Sequence, residues 1–212
     1  MKYFLDLGAH KLEGLDEFTK KLNIDYEWTV YSYEPNIFLH KDAEKNAEKV
    51  KNKYKNFYFE KKAVLHENGY VTFNCHKGCW KNESMKEYLS EMTTGGNALN
   101  FNPSMDIGNK VVFDSEAYEV ECISIDDILE SICTEDKEAK IWIKMDIEGS
   151  EFAVIPCIVE SDYAKHIQEM YIEWHERMWY HEGMEGIVQK QKERLLYTQQ
   201  LEKKGIKCFV HH

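Results

Sequence analysis

Two runs of this sequence end in polar side chains where a buried strand should stay apolar. In Ile141-Trp-Ile-Lys-Met-Asp-Ile-Glu-Gly-Ser-Glu151 the apolar run is broken by Lys144 and Asp146, and Tyr171-Ile-Glu-Trp-His175 brings in Glu173 and His175. Side chains alternate across a strand, so Lys144 and Asp146 share one face, and Glu173 and His175 likewise share one. Parallel strands covered on both sides read as continuous apolar runs, so four polar groups are costly there unless they pair with one another or with a ligand. An imidazole titrates near neutrality, which makes His175 the first choice for a base that takes a proton from a hydroxyl, with Asp146 second. Asp146, Glu173 and His175 would also suit Mg²⁺ or a similar hard cation that orients and acidifies a diol. A third arrangement is a buried ion pair of Lys144 with Glu173 or Asp146 that takes no part in chemistry.

Two further strand ends are polar in the same way. One reads Asp6-Leu-Gly8-Ala9-His10 and the other Tyr33-Glu34-Pro35-Asn36. Glycine at position 8 would let the backbone approach a ligand closely, and a carboxylate at Glu34 can accept both hydroxyls of a ribose. The same pair could serve NAD. The glycine-rich run that seats a pyrophosphate on a helix N-terminus is missing, however, and Asp6 would repel an anion but not a cationic nucleoside. That favours S-adenosylmethionine, which carries a sulfonium and an ammonium but no phosphate.

These ends need a scaffold to bring them together, and the chain supplies strand and helix patterns in alternation. Strand-like YFLDL (3–7) and WTVYSY (28–33) are followed by helical patterns near 14–22 and 37–54, and FYFEKKAVL (57–65) continues as strand. A turn at Glu67-Asn68-Gly69-Tyr70 leads into VTFNC, after which residues 77–110 lose periodicity and collect glycines, as a long lid or substrate loop would. YEVECISI (118–125), helical DDILESI, strand KIWIKMD (140–146), a helix from about Ser150, strand EMYIEWH (169–175), a helix near 184–204 and strand IKCFV complete the chain. Strands separated by helices of this length predict parallel pairing with helices on both faces: a single α/β domain over residues 1–212, doubly wound, with a mostly parallel seven-stranded sheet. In such sheets the ligand crevice lies beyond the carboxyl ends of the strands, where all the residues above fall. Trp80, Trp174, Trp179 and Tyr180 near those ends could form a platform for a sugar ring.

The 27 Lys and Arg against 38 Asp and Glu give a net charge of −11, which opposes attraction to nucleic acid or to an anionic membrane. No window has the length of a membrane span, and the first ten residues do not read as a secretory signal, so a cytoplasmic location is expected. The six cysteines are scattered, which suits reduced thiols; Cys75 and Cys79, with His66 or His76, are a weak match to zinc-ligand spacing.

The segments D-L-G-A (6–9), Y-E-P-N (33–36), V-E-C-I-S-I-D-D-I-L (120–129), I-K-M-D-I-E-G-S-E (143–151) and Y-I-E-W-H (171–175) together resemble the FkbM-type family of S-adenosylmethionine-dependent methyltransferases. The resemblance implies a Rossmann-like class I methyltransferase fold and transfer of a methyl group to a hydroxyl oxygen, often of a sugar or other small molecule. By that resemblance Asp6 and Gly8, with Ala9 and His10, would line the methionine end of the cofactor. Glu34, followed by Pro35, would hold its ribose, and Asp146 would stand near the reacting methyl. The chain departs from the family's first loop, which commonly reads D-x-G-A-N followed soon by a second glycine; here His10 and Leu12 stand there and Gly14 comes later. The acceptor expected is a small molecule or glycan. The rival expectations are an NAD(P)-dependent oxidoreductase on a similar sheet and a non-catalytic module that binds a nucleoside or a protein partner.

Overall fold

The structure, a computed structural model, describes residues 1–80, 93–97 and 111–211; at 75–80, 93–97, 111–116 and 180–181 the backbone alone is described. Six strands form the main sheet: β1 (Lys2–Leu7), β2 (Trp28–Tyr33), β3 (Asn56–Glu60), β8 (Lys140–Met145), β9 (Ile167–Ile172) and β10 (Lys207–Val210). Their order is β10-β9-β8-β1-β2-β3, and every neighbouring pair is parallel.

Alternation along β1 and β8 sorts the core into two layers. Tyr3, Leu5 and Leu7, with Ile141, Ile143 and Met145, face one side, where they meet α3 (Ile125–Glu135) and α4 (Glu151–Glu160). Phe4 and Trp142 face the other side, against Leu15 and Phe18 of α1 (Leu15–Leu22). Helix α2 (His40–Val50) sends Val50 to that second layer, and Leu201 of α5 (Gly183–Lys203) closes the first. Helices therefore cover both faces, as a doubly wound sheet requires. Each buried Leu, Ile or Phe side chain contributes about 1.5–3 kcal/mol relative to exposure.

Among the described residues the main sheet has six strands where seven were expected, because YEVECISI pairs in a second sheet; FYFEKKAVL divides between the two. Lys61 and Lys62 reach out to Glu44 and Glu121, and the chain leaves the main sheet between them. Ala63–Leu65 (β4) then pairs with β7 (Val111–Ser124) in a second, four-stranded sheet ordered β4-β7-β5-β6, where β5 is Gly69–Trp80 and β6 is Thr93–Asn97. In the expected loop 77–110, residues 77–80 and 93–97 are paired strand, and the rest lies outside the described residues. Helix α3 starts where the hydroxyl of Ser124 accepts from the N–H groups of Asp126 and Asp127, a side-chain cap on orphan donors.

Candidate active site

The face alternation that turns Phe4 and Trp142 to the second layer also buries the next residues in line, Asp6 and Lys144, which lie opposite each other in the register. Lys144 Nζ is 3.4 Å from Asp6 Oδ1 and 3.4 Å from Asp146 Oδ2, and it donates to the carbonyl of Gly8. Burial works against the ammonium, but the charges of Asp6 and Asp146 outweigh it and hold the Lys144 pKa above its ordinary value. Asp6 is thus paired with Lys144 within the sheet and, like Lys144, is not part of the cleft lining. The predicted pairing of Lys144 with Asp146 is present; Glu173 is instead directed to His175.

Gly8 has a further reason for being glycine that the sequence did not show. Its φ is +78°, and a Cβ there would lie 1.8 Å from the backbone oxygen of Asp146. The missing side chain lets β1 and β8 end in contact, and the Asp146 N–H donates to Leu7 across the same junction at 3.0 Å.

Glu34 closes the loop after β1 onto the end of β2. Its Oε2 accepts the His10 N–H at 2.7 Å and its Oε1 accepts the Asn36 N–H at 2.8 Å, while Gly8 and Ala9 donate to the Tyr33 carbonyl. Burial raises the Glu34 pKa, opposed by those two backbone donors. A carboxylate offers about four acceptor sites, so two are left on a side chain that is 6% exposed and lines a cleft. That cleft, about 580 Å³ counting its open mouth, runs from Gly8, His10 and Glu34 to Asp146, Glu148 and Ser150, with Leu39, Val64, Leu65 and Phe73 as its apolar wall. His10 contributes its backbone N–H and a lining surface, while its ring turns to Glu13. Pro35 also lines the cleft; Ala9 is buried beside it.

Behind Asp146 and Glu148 lies His175, 2% exposed. Its Nδ1 is 3.0 Å from Glu151 Oε1, and its Nε2 faces Glu148 at 3.4 Å and both Asp146 and Glu173 at 3.7 Å. Glu151 is fully buried at the first turn of α4, where it also accepts the N–H groups of Ile147 and Gly149. The reversal that allows this passes through Glu148 at φ 51° and Gly149 at φ 99°. Burial alone would lower the His175 pKa; the hydrogen bond to Glu151 and the charges of Glu151, Glu148 and Asp146 outweigh it and raise it to about 9. Glu148 is lifted to about 7, mainly by burial, with His175 opposing. The pocket between these carboxylates demands positive charge, whether a proton on Nε2 or a metal ion. Asp146, Glu148 and His175 can each offer one ligand atom within 4.8 Å of the others.

Of the predicted site residues, Gly8, His10, Glu34, Pro35 and Asp146 line the cleft, whereas Asp6, Ala9, Lys144, Glu173 and His175 do not. Two residues of the site went unassigned in the sequence: Glu148 and Glu151. Both stand in the quoted run of carboxylates, but only the left-handed turn at Glu148 tells which one faces the cleft and which one folds back. Of the four tryptophans and tyrosines expected as a sugar platform, Trp174 and Trp179 pack on Phe152. The side chains of Trp80 and Tyr180, like those of Cys75 and Cys79, lie outside the described residues; Cys122, Cys133, Cys157 and Cys208 are free thiols.

The titration of His175 is open to direct measurement. Because its folded-state pKa is raised, the stability it contributes is complete below pH 6.5 and lost as pH rises through about 9. In chelator-treated protein, imidazole NMR signals should therefore move near pH 9 and Glu151→Gln should bring them lower; an imidazole titrating near its ordinary value would contradict the arrangement. Steps shared with Glu148 belong to the pair as a whole.

A parallel α/β sheet with helices on both faces and a cleft across its carboxyl ends defines a Rossmann-like α/β fold. The family profile described as Methyltransferase FkbM domain matches residues 6–197. The chain belongs to the FkbM methyltransferase family, and it is a methyltransferase in that sense. Searches of curated proteins and of solved structures gave no match. Among the described residues no helix is long and apolar enough to cross a membrane.

Proposed function

We propose that the chain transfers a methyl group from S-adenosylmethionine to a hydroxyl oxygen of a sugar, glycan or other small molecule. The observation that carries this reading is Glu34: a buried carboxylate at the cleft, held by two backbone N–H groups and keeping acceptor sites for a ribose diol. When bound, the cofactor supplies an electrophilic methyl on a sulfonium. The residues of this chain then do the rest. Glu34 fixes the sugar, Asp146 and Glu148 face the acceptor hydroxyl, and most of the rate comes from holding that oxygen in line. Glu148, with a pKa near 7 and a place on the cleft, takes the hydroxyl proton. His175 reaches the cleft only through Asp146 and Glu148, so it positions them and balances their charge.

A divalent cation is a second reading for the same pocket, favoured by one observation. Nδ1 of His175 is committed to Glu151, which leaves Nε2 facing three carboxylates, the carboxylate–imidazole backing usual behind a metal ligand. Asp146, Glu148 and His175 would hold the ion, with Glu173 close by, and it would acidify a bound hydroxyl.

Calorimetry with S-adenosylmethionine and S-adenosylhomocysteine, with and without EDTA, tests both readings. Micromolar binding of each is expected, weakened about 10–100-fold in Glu34→Gln, the loss typical of a charge-assisted bond. Binding of NAD in preference to either, or indifference to Glu34→Gln, would reject the assignment. Chelator sensitivity in catalysis, restored by Mg²⁺, would support the ion.

A further inference from the structure

The cleft holds one buried polar group that neither the fold nor the proposed chemistry uses. Asn36, two residues beyond Glu34, is 1% exposed and lines the cleft, and its Nδ2 has no hydrogen-bond partner among the described residues. The orientation of the amide follows from its neighbours. Its Oδ1 accepts the Phe38 N–H at 3.1 Å and the Tyr118 hydroxyl at 3.4 Å, and that hydroxyl in turn accepts the Ile37 N–H at 2.9 Å. Turning the amide over would set Nδ2 against the Phe38 N–H, donor against donor, so the orphan is the NH₂ group. Buried donors left without an acceptor are rare in folded proteins and point to a ligand or an ordered water.

The place of this donor says what would meet it. The same cleft is lined by the Glu34 carboxylate, which accepts and so calls for a diol. It is also lined by Leu65 and by Phe73, whose ring is tilted against Tyr118 with centroids 5.7 Å apart. A flat apolar ring suits that wall, and the atom of it that meets Nδ2 must be an acceptor. We propose that Asn36 is the specificity-determining donor of the cleft, its Nδ2 hydrogen-bonding a ring nitrogen of the purine whose sugar rests on Glu34. This rests on the reading that the cleft takes the nucleoside of the methyl donor.

The test removes the acceptor from the ligand as well as the donor from the protein. Analogues of S-adenosylhomocysteine in which each ring nitrogen of the base in turn is replaced by CH are titrated into the wild-type chain and into Asn36→Ser. Serine keeps an oxygen able to accept the Phe38 N–H while deleting Nδ2. One analogue should bind the wild type at least about tenfold more weakly than the parent, and that penalty should vanish in Asn36→Ser, as a coupled pair requires. If Asn36→Ser does not fold, the analogue series in the wild type decides alone. If the parent binds but all analogues match it within about twofold, or the penalty persists in Asn36→Ser, the role of Asn36 is overturned and the cofactor reading stands. If the parent does not bind, both fall.

Discussion

Replacing Lys144 by methionine is expected to destabilise the protein by about 3–5 kcal/mol near pH 8, the range for removing one partner of a buried ion pair. Asp6 is 3% exposed and has Lys144 as its compensating cation, while Asp146 would be left beside it with the same sign. The Gly8 carbonyl would lose its donor as well. At about 2–4 °C per kcal/mol for a chain of this size, the melting temperature should fall by roughly 10 °C. Lowering the pH should recover part of the loss, since burial already raises the Asp6 pKa and, without Lys144, its neutral form is the one the fold tolerates. Asp6→Asn added to Lys144→Met should recover more. A single variant melting within about 2 °C of the parent, or a double variant no better than the single, would show that the triad is not what holds these strand ends.

Gly8→Ala should be the most damaging change to the site itself. The new Cβ would meet backbone, 1.8 Å from the Asp146 oxygen and 2.8 Å from its carbonyl carbon, so no side chain can swing aside. Either β1 and β8 part at their ends or the positive φ is abandoned, and a cost of at least about 3 kcal/mol follows from strain and overpacking together. Both routes move Asp146 away from Glu34, so donor binding should be lost even in the fraction that folds. Gly14→Ala is the control: nothing lies within 4 Å of its built Cβ, and its melting temperature should change little. Thermal melting and calorimetry on the pair provide the check; a Gly8→Ala protein that melts and binds like the parent would remove close strand contact as the reason for this glycine.

Much of this architecture was written in residue periodicity. WTVYSY occupies the strand Trp28–Tyr33, buried along nearly its whole length, and the helical pattern near 37–54 became α2, which buries Ala43. The polar strand ends were equally legible, since a lysine and carboxylates inside buried strands have no cheap explanation. Which of them face the cleft was not. Lys144 and His175 differ from Asp146 only by depth, and depth depends on packing from α1 and α4, which periodicity does not encode. The fold-back of Glu151 likewise depends on a left-handed residue at Glu148, a position where glutamate gives no hint of it. FYFEKKAVL looked continuous because the break is a change of sheet and not a change of conformation: Ala63–Leu65 remains strand but pairs elsewhere.

The tips of β1 and β2 hold the donor nucleoside in this account, with the Asp146 and Glu148 carboxylates facing the group that reacts. Diffraction from crystals soaked with S-adenosylhomocysteine tests it most directly. The ribose hydroxyls should lie within hydrogen-bond distance of the Glu34 carboxylate, with the homocysteine sulfur on the side of Asp146 and Glu148. Ligand density elsewhere on the protein, or a Glu34 side chain turned out of the cleft when the ligand is bound, would contradict it.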